Sequence, residues 1–234
     1  MSIADQAERE NFSLFDDDGK PKSQATVLIE IAERFHHFHD ADRNTYGVID
    51  VDGVRQVWPV RSDGYKHHIS GEFFNLTGKG HNRNAYNDAR DTIEARAINL
   101  GPTEAVYLRV ANLGDRIYLD MCDDKWRVIE VDAAGWRIVD RSPVRFVRRN
   151  GMTALPIPVS PGDVSLLREI LNLSDADGHF ELVVGYILAA LRGAGPFPIL
   201  VMQGEQGTGK STNSENIRRF IDPSTVPLRA PPKD

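Results

Sequence analysis

Gly204-Glu205-Gln206-Gly207-Thr208-Gly209-Lys210-Ser211 fills every position of the pattern G-x-x-x-x-G-K-[ST]. Average residue usage would produce this match by accident in about one chain in a hundred of this length. Its flanks lower those odds. Phe197-Pro198-Ile199-Leu200-Val201-Met202 is a short apolar run that reads as a buried parallel strand, with Pro198 tolerable near its start. After the loop, Ile217, Phe220 and Ile221 fall at i, i+3 and i+4, the apolar stripe of a helix that Pro223 ends. Strand, glycine-rich loop and helix together predict a site for a nucleoside triphosphate, ATP being the expected ligand.

Each residue type has a reason in that chemistry. Gly204, Gly207 and Gly209 let the backbone curl close around a phosphate, where side chains would obstruct it. Lys210 places a point charge at the β- and γ-phosphates and is the expected catalytic group. The Ser211 hydroxyl suits a Mg²⁺ ion, a hard cation that takes oxygen ligands. Thr212 adds a hydroxyl near the α-phosphate, and Glu205, Gln206 and Thr208 complete the loop.

Composition bounds what the rest can be. The chain has 234 residues, 41% of them hydrophobic, enough for a substantial core. A net charge of −6 confines any nucleic-acid contact to a local patch. One cysteine, Cys122, rules out an internal disulfide framework and suits a reducing cytoplasm. The N-terminus lacks a basic-then-apolar leader, and the longest apolar run, near 182–191, is about half a membrane span, so no membrane partner is expected.

Working back from the loop, the sequence divides into four. Residues 1–22 read as a loose, Asp-rich tail. Residues 23–157 read as an α+β module. In it Ser23 caps a helix bearing Val27, Leu28, Ile31 and Phe35, and Asp52-Gly53 turns a hairpin between residues 46–51 and 55–60. Tyr86, Ala89, Ile93, Ala97 and Leu100 mark a second helix, closed by Gly101-Pro102. Short alternating strands follow, including a Val106/Leu108/Val110 strand, as an antiparallel meander from about 104 to 148. Residues 158–195 form a helical bridge after a proline-rich linker, with Asp163 capping one helix and a second from about 176 to 192. Residues 196–234 begin an α/β P-loop NTPase domain that stops after the Walker A helix. Residues 226–229 are the expected start of a next strand.

Three clusters compete as further sites. His36, His37, His39 and Asp40 lack the i, i+4 spacing of helical metal ligands and read as a solvated helix end. Asp120, Asp123 and Asp124 read first as a hairpin tip, with a bound cation as the alternative. Arg137, Arg141, Arg145, Arg148 and Arg149 crowd a segment with Trp136 and Phe146, a composition suited to single-stranded nucleic acid, or else to guarding a strand edge. Lys66-His67-His68 is a smaller basic spot.

The run Tyr46-Gly47-Val48-Ile49-Asp50-Val51-Asp52-Gly53, the pair Trp126 and Trp136, and the phosphate loop through Thr212 with Ile221-Asp222-Pro223 resemble bacterial and prophage ATP-binding proteins. Those are similar to the helicase portion of primase–helicase replication proteins, related to superfamily 3 helicases and the AAA+ class. The resemblance implies an ATPase that forms homo-oligomeric rings on DNA or RNA. Lys210 and Ser211 carry over position by position. An acid on a second strand and a transition-state arginine, which such ATPases need, have no counterpart here. Asp222, at the end of the loop's own helix, is misplaced for that acid. The chain therefore reads as an N-terminal fragment or truncated reading frame, with residues 196–234 poorly anchored alone or in need of a partner, and little turnover expected. Two rival readings remain open: a nucleic-acid-binding or assembly module with a non-functional loop, and a P-loop small-molecule kinase.

Overall fold

Ser23 opens the first helix as its spacing predicts, its side chain accepting from the Thr26 N–H ahead of α1 (Gln24–Ala32). The computed structural model describes residues 12–173 and 178–228 as a mixed α+β chain with small sheets and, among those residues, six helices. Contacts divide it into two compact units, Met1–Val106 and Tyr107–Asp234. The meander therefore groups with the C-terminal helices, whereas the sequence reading placed it with the N-terminal module.

In the first unit, β1 (His36–His39), β2 (Thr45–Val51) and β3 (Val54–Pro59) form an antiparallel sheet in that order. The hairpin lies where Asp52-Gly53 places it. Val51 pairs with Val54, and the two turn residues have φ of 53° and 83°, the positive values such a tight turn requires. Two helices follow, α2 (Asp63–Thr77) and α3 (Arg83–Asn99). Tyr65, Ile69 and Phe73, four residues apart, form the buried face of α2; α3 contributes Ala85, Tyr86, Ala89, Ile93 and Ala97. With Leu28, Ile31 and Ile49, all of these except Ala97 make the core of this unit. Gly47 permits one close approach in this core. A Cβ there would stand 2.7 Å from the Tyr65 ring.

Two expectations need correction here. The histidine cluster is not a helix end. Residues 36–39 extend along β2, with Phe38 fully buried opposite Tyr46 and their rings stacked at 5.2 Å. One apolar residue among three histidines carries too weak an alternation to announce a strand; pairing with β2 decides it. The tail, too, is less loose than its composition suggests. Residues 1–11 lie outside the described part, but Phe12 and Leu14 pack on the core, and Asp16 accepts from the Asp18 and Lys20 N–H groups.

In the second unit, β5 (Val110–Leu113), β6 (Arg116–Asp120), β7 (Val128–Asp132) and β8 (Gly135–Val139) form the expected antiparallel meander. The predicted Val106/Leu108/Val110 strand is broken. Its first part, β4 (Val106–Tyr107), pairs instead with β9 (Arg145–Phe146), and Leu108 is exposed between the pieces. Ala111, Tyr118, Val128, Val144 and Phe146 fill the core beneath. Three helices follow: α4 (Leu166–Ile170), α5 (His179–Leu191) and α6 (Lys210–Ile221). Leu171, Val183 and Ile217 form a separate small core among them. Among the described residues, no helix is long and apolar enough to cross a membrane.

The run 197–202 does not form the expected parallel strand. Leu200 and Met202 pack toward the helical core, while Phe197, Ile199 and Val201 are 55%, 89% and 68% exposed. A parallel-sheet strand is buried on both faces by its neighbours. Among the described residues no strand lies beside this one, so the sheet that would define a P-loop NTPase domain is not seen. Residues 226–228 likewise form no strand, and 229 lies outside the described part.

Candidate functional site

The loop at 204–209 leads directly into α6, as the motif requires. Gly209 stands at the N-cap with φ of 78°, and Gly207 has φ of 87°, backbone that a side chain would strain. A Cβ on Gly204 would lie 2.7 Å from Thr208 Oγ1. Thr208 in turn donates through Oγ1 to the Glu205 carbonyl at 2.9 Å, closing the turn. Among the described residues, no group accepts from the N–H of Gly207 or Gly209, leaving both donors for a ligand.

Lys210 is the first residue of α6, and its ammonium folds back over the loop. It donates to the Gly204 carbonyl at 2.9 Å and the Glu205 carbonyl at 2.6 Å, with Thr208 Oγ1 at 3.4 Å. The charge is thus held against the loop carbonyls at the protein surface. Ser211 and Thr212 follow, both exposed. The residues needed to hold a polyphosphate (glycines, lysine and two hydroxyls) are therefore together on one loop and one helix end, and they fit such an anion.

The helix behind the loop is held at three places. Ile217 is buried in the small core. Asn213 Nδ2 donates to the Leu171 carbonyl at 2.8 Å. At its C-terminal end, Asp222 Oδ1 accepts from Arg109 Nε at 2.9 Å, and the same guanidinium donates to the carbonyls of Asp120, Thr153 and Pro223. Thr153 N–H donates to the Pro223 carbonyl, and Thr225 N–H to that of Gly151. The far end of this segment is consequently well tied, contrary to the expectation that all of 196–234 is poorly anchored. Sequence reasoning missed Arg109, a polar position between Leu108 and Val110 that reads as solvent-facing. It is 5% exposed.

The arginine-rich segment does not present five free cations. Arg148 is bidentate to the buried Asp120, at 2.9 and 2.8 Å, donates to the Asp123 carbonyl, and stacks at 4.1 Å on Trp126. Arg137 is bonded to Glu130 and Asp132. Arg145 lies in β9 and has an interaction of its own. Arg141 and Arg149 remain exposed. The acidic cluster is likewise not an open hairpin tip at Asp120, which is 1% exposed beneath Arg148. Asp123 accepts from the Arg127 N–H at 2.9 Å and Nε at 2.6 Å, and those bonds hold its carboxyl below the usual range against the opposing effect of burial.

The histidines are each engaged. His36 Nε2 lies 2.6 Å from Glu104, His39 contacts the Asp40 carbonyl and Thr103, and His37 Nε2 lies 2.7 Å from the Tyr65 hydroxyl. Burial, helped by the nearby charges of His36 and Arg96, pushes the His37 imidazole down to about 4. Among the described residues, no three His, Cys, Asp or Glu side chains gather as for a metal ion.

No protein-family model, curated protein or solved structure matches this chain.

Proposed function

We propose that residues 204–212 bind the phosphates of a nucleoside triphosphate, and that the chain belongs to a replication-type helicase or related ATPase. One observation carries the phosphate reading: the Lys210 ammonium, drawn into the loop by two backbone carbonyls, sits where a polyphosphate would replace those carbonyls as its partner. The loop N–H groups and the positive end of α6 favour the same anion. Ser211 would contribute one oxygen to a Mg²⁺ ion, which neutralises phosphate charge when bound. Helicase activity, ring assembly and a nucleic-acid track rest on the sequence resemblance alone.

A second reading, a binding or assembly module with a non-functional loop, draws support from the exposed segment before the loop. Phe197, Ile199 and Val201 would be covered in a complete nucleotide domain.

Calorimetric titration of Mg-ATP into the 234-residue chain and its Lys210→Ala variant separates the two. A charge-assisted contact contributes about 1.5–3 kcal/mol, so the variant should bind roughly 10- to 150-fold more weakly. Equal affinity in both proteins excludes the loop as the site, and absence of binding in both favours the second reading.

A further inference from the structure

The first unit contains a basic cleft whose lining includes no residue of the phosphate loop or the arginine-rich segment. It has a volume of about 590 Å³ and lies at the start of α2 and α3. Its charged lining is Arg61, Asp63, Lys66, Arg83 and Arg90, with Tyr86 at its wall. Four cations face one carboxylate of the lining, but not all four are available. Arg61 is taken by Glu94, at 2.6 and 2.9 Å, and Arg90 by Asp91 at 2.8 Å. Two cations are left. Among the described residues neither Lys66 nor Arg83 is in an ion pair, and both are exposed, Lys66 lying 5.6 Å over the Tyr86 ring. Arg61 and Arg90 still add positive potential, which Glu94 and Asp91 offset.

The contrast with the arginine-rich segment is informative. There, Arg137 and Arg148 donate to carboxylates of the meander. Here, two cations on separate helices share a concave, polar surface with no carboxylate bound to either. The His81 ring stacks on Tyr86 at 5.4 Å, with Nε2 at 2.7 Å from Ser70 and Nδ1 at 3.1 Å from the Asn82 carbonyl. Both ring nitrogens of His81 are thus engaged within the protein, which leaves the ligand to Lys66 and Arg83.

We infer that this cleft binds phosphate groups through Lys66 and Arg83. The ligand chemistry is an unesterified polyphosphate or the phosphodiester backbone of a single strand; both present the same oxygens. The inference does not depend on the phosphate loop at 204–211.

The test uses the full chain carrying Lys210→Ala, so that the loop cannot contribute. Fluorescence anisotropy follows a labelled oligothymidylate of about 20 nucleotides at about 50 mM salt. Each lost phosphate contact on a single strand should weaken binding roughly eightfold, from a salt slope of about −0.7 per contact. Lys66→Gln and Arg83→Gln should each show that loss, their combination roughly 60-fold, and Arg137→Gln none. Both substituted side chains are at the surface, so unchanged circular dichroism and melting are expected and are checked. Inorganic pyrophosphate identifies the source: displacement of the oligonucleotide assigns the site to phosphate itself, and binding that resists it assigns the site to a polymer backbone. If neither probe binds the Lys210→Ala chain, or if the double variant binds as tightly as its parent, the inference is wrong.

Discussion

Arg109→Met should loosen the end of the loop helix and leave the first unit untouched. The arginine is 5% exposed and donates to Asp222 at 2.9 Å, the Asp120 carbonyl at 2.9 Å and the Thr153 carbonyl at 3.0 Å. Methionine keeps much of the volume and none of the donors. The Asp222 side chain is 41% exposed, so its carboxylate rehydrates and its Coulombic part is discounted. The two carbonyls do not recover so easily. Each buried acceptor left without a partner costs about 1–3 kcal/mol, which gives roughly 3 kcal/mol once the partly buried Thr153 is weighted down. Urea titration of the whole chain reads the total. Hydrogen exchange followed by mass spectrometry locates it: amides of residues 213–222 should exchange about 100-fold faster, and those of α2 and α3 at the parental rate. A loss below about 1 kcal/mol, or acceleration spread evenly over both units, would refute the assignment of Arg109 as the tie.

Two further outcomes concern the first unit. Gly47→Ala puts a methyl 2.7 Å from the buried Tyr65 ring and should cost about 1–3 kcal/mol, read from the melting of the isolated transition. His37 is neutral in the fold because its imidazole is pushed down to about 4, whereas the unfolded value is near 6.5. The unfolded chain therefore binds the proton first, so stability is full above about pH 6.5 and falls as pH drops toward 4, by up to about 3 kcal/mol. His37→Gln should flatten that part of the pH–stability curve, and an unchanged slope would remove His37 as its source.

Features written in local chemistry were legible. Ser23 caps a helix, Asp52-Gly53 turns a hairpin, and the glycines of the loop have the positive φ that their spacing implies. Features set by distant partners were not. His36–His39 has no strand signature until β2 pairs with it. Arg109 and Arg148 look like surface charges until Asp222 and Asp120, 113 and 28 residues away in sequence, bind them. For the same reason an arginine-rich segment overstated its free charge, since composition counts cations and cannot subtract the carboxylates they meet. The run 197–202 shows the opposite failure. Its apolarity is real, but a strand is a relation between two segments, and none of the described strands pairs with it.

The tie at Asp222 also sets how the loop can move. Helix α6 has 12 residues, a rod of about 18 Å, with Arg109 gripping one end and Lys210 at the other. Near the other end Asn213 is bound to the Leu171 carbonyl, and between the two ties Ile217 sits in the core, so the rod is pinned along its length. The loop end of the helix is therefore a fixed platform, and an arriving phosphate would be met by rotation of the long Lys210 side chain about its own bonds rather than by movement of the helix.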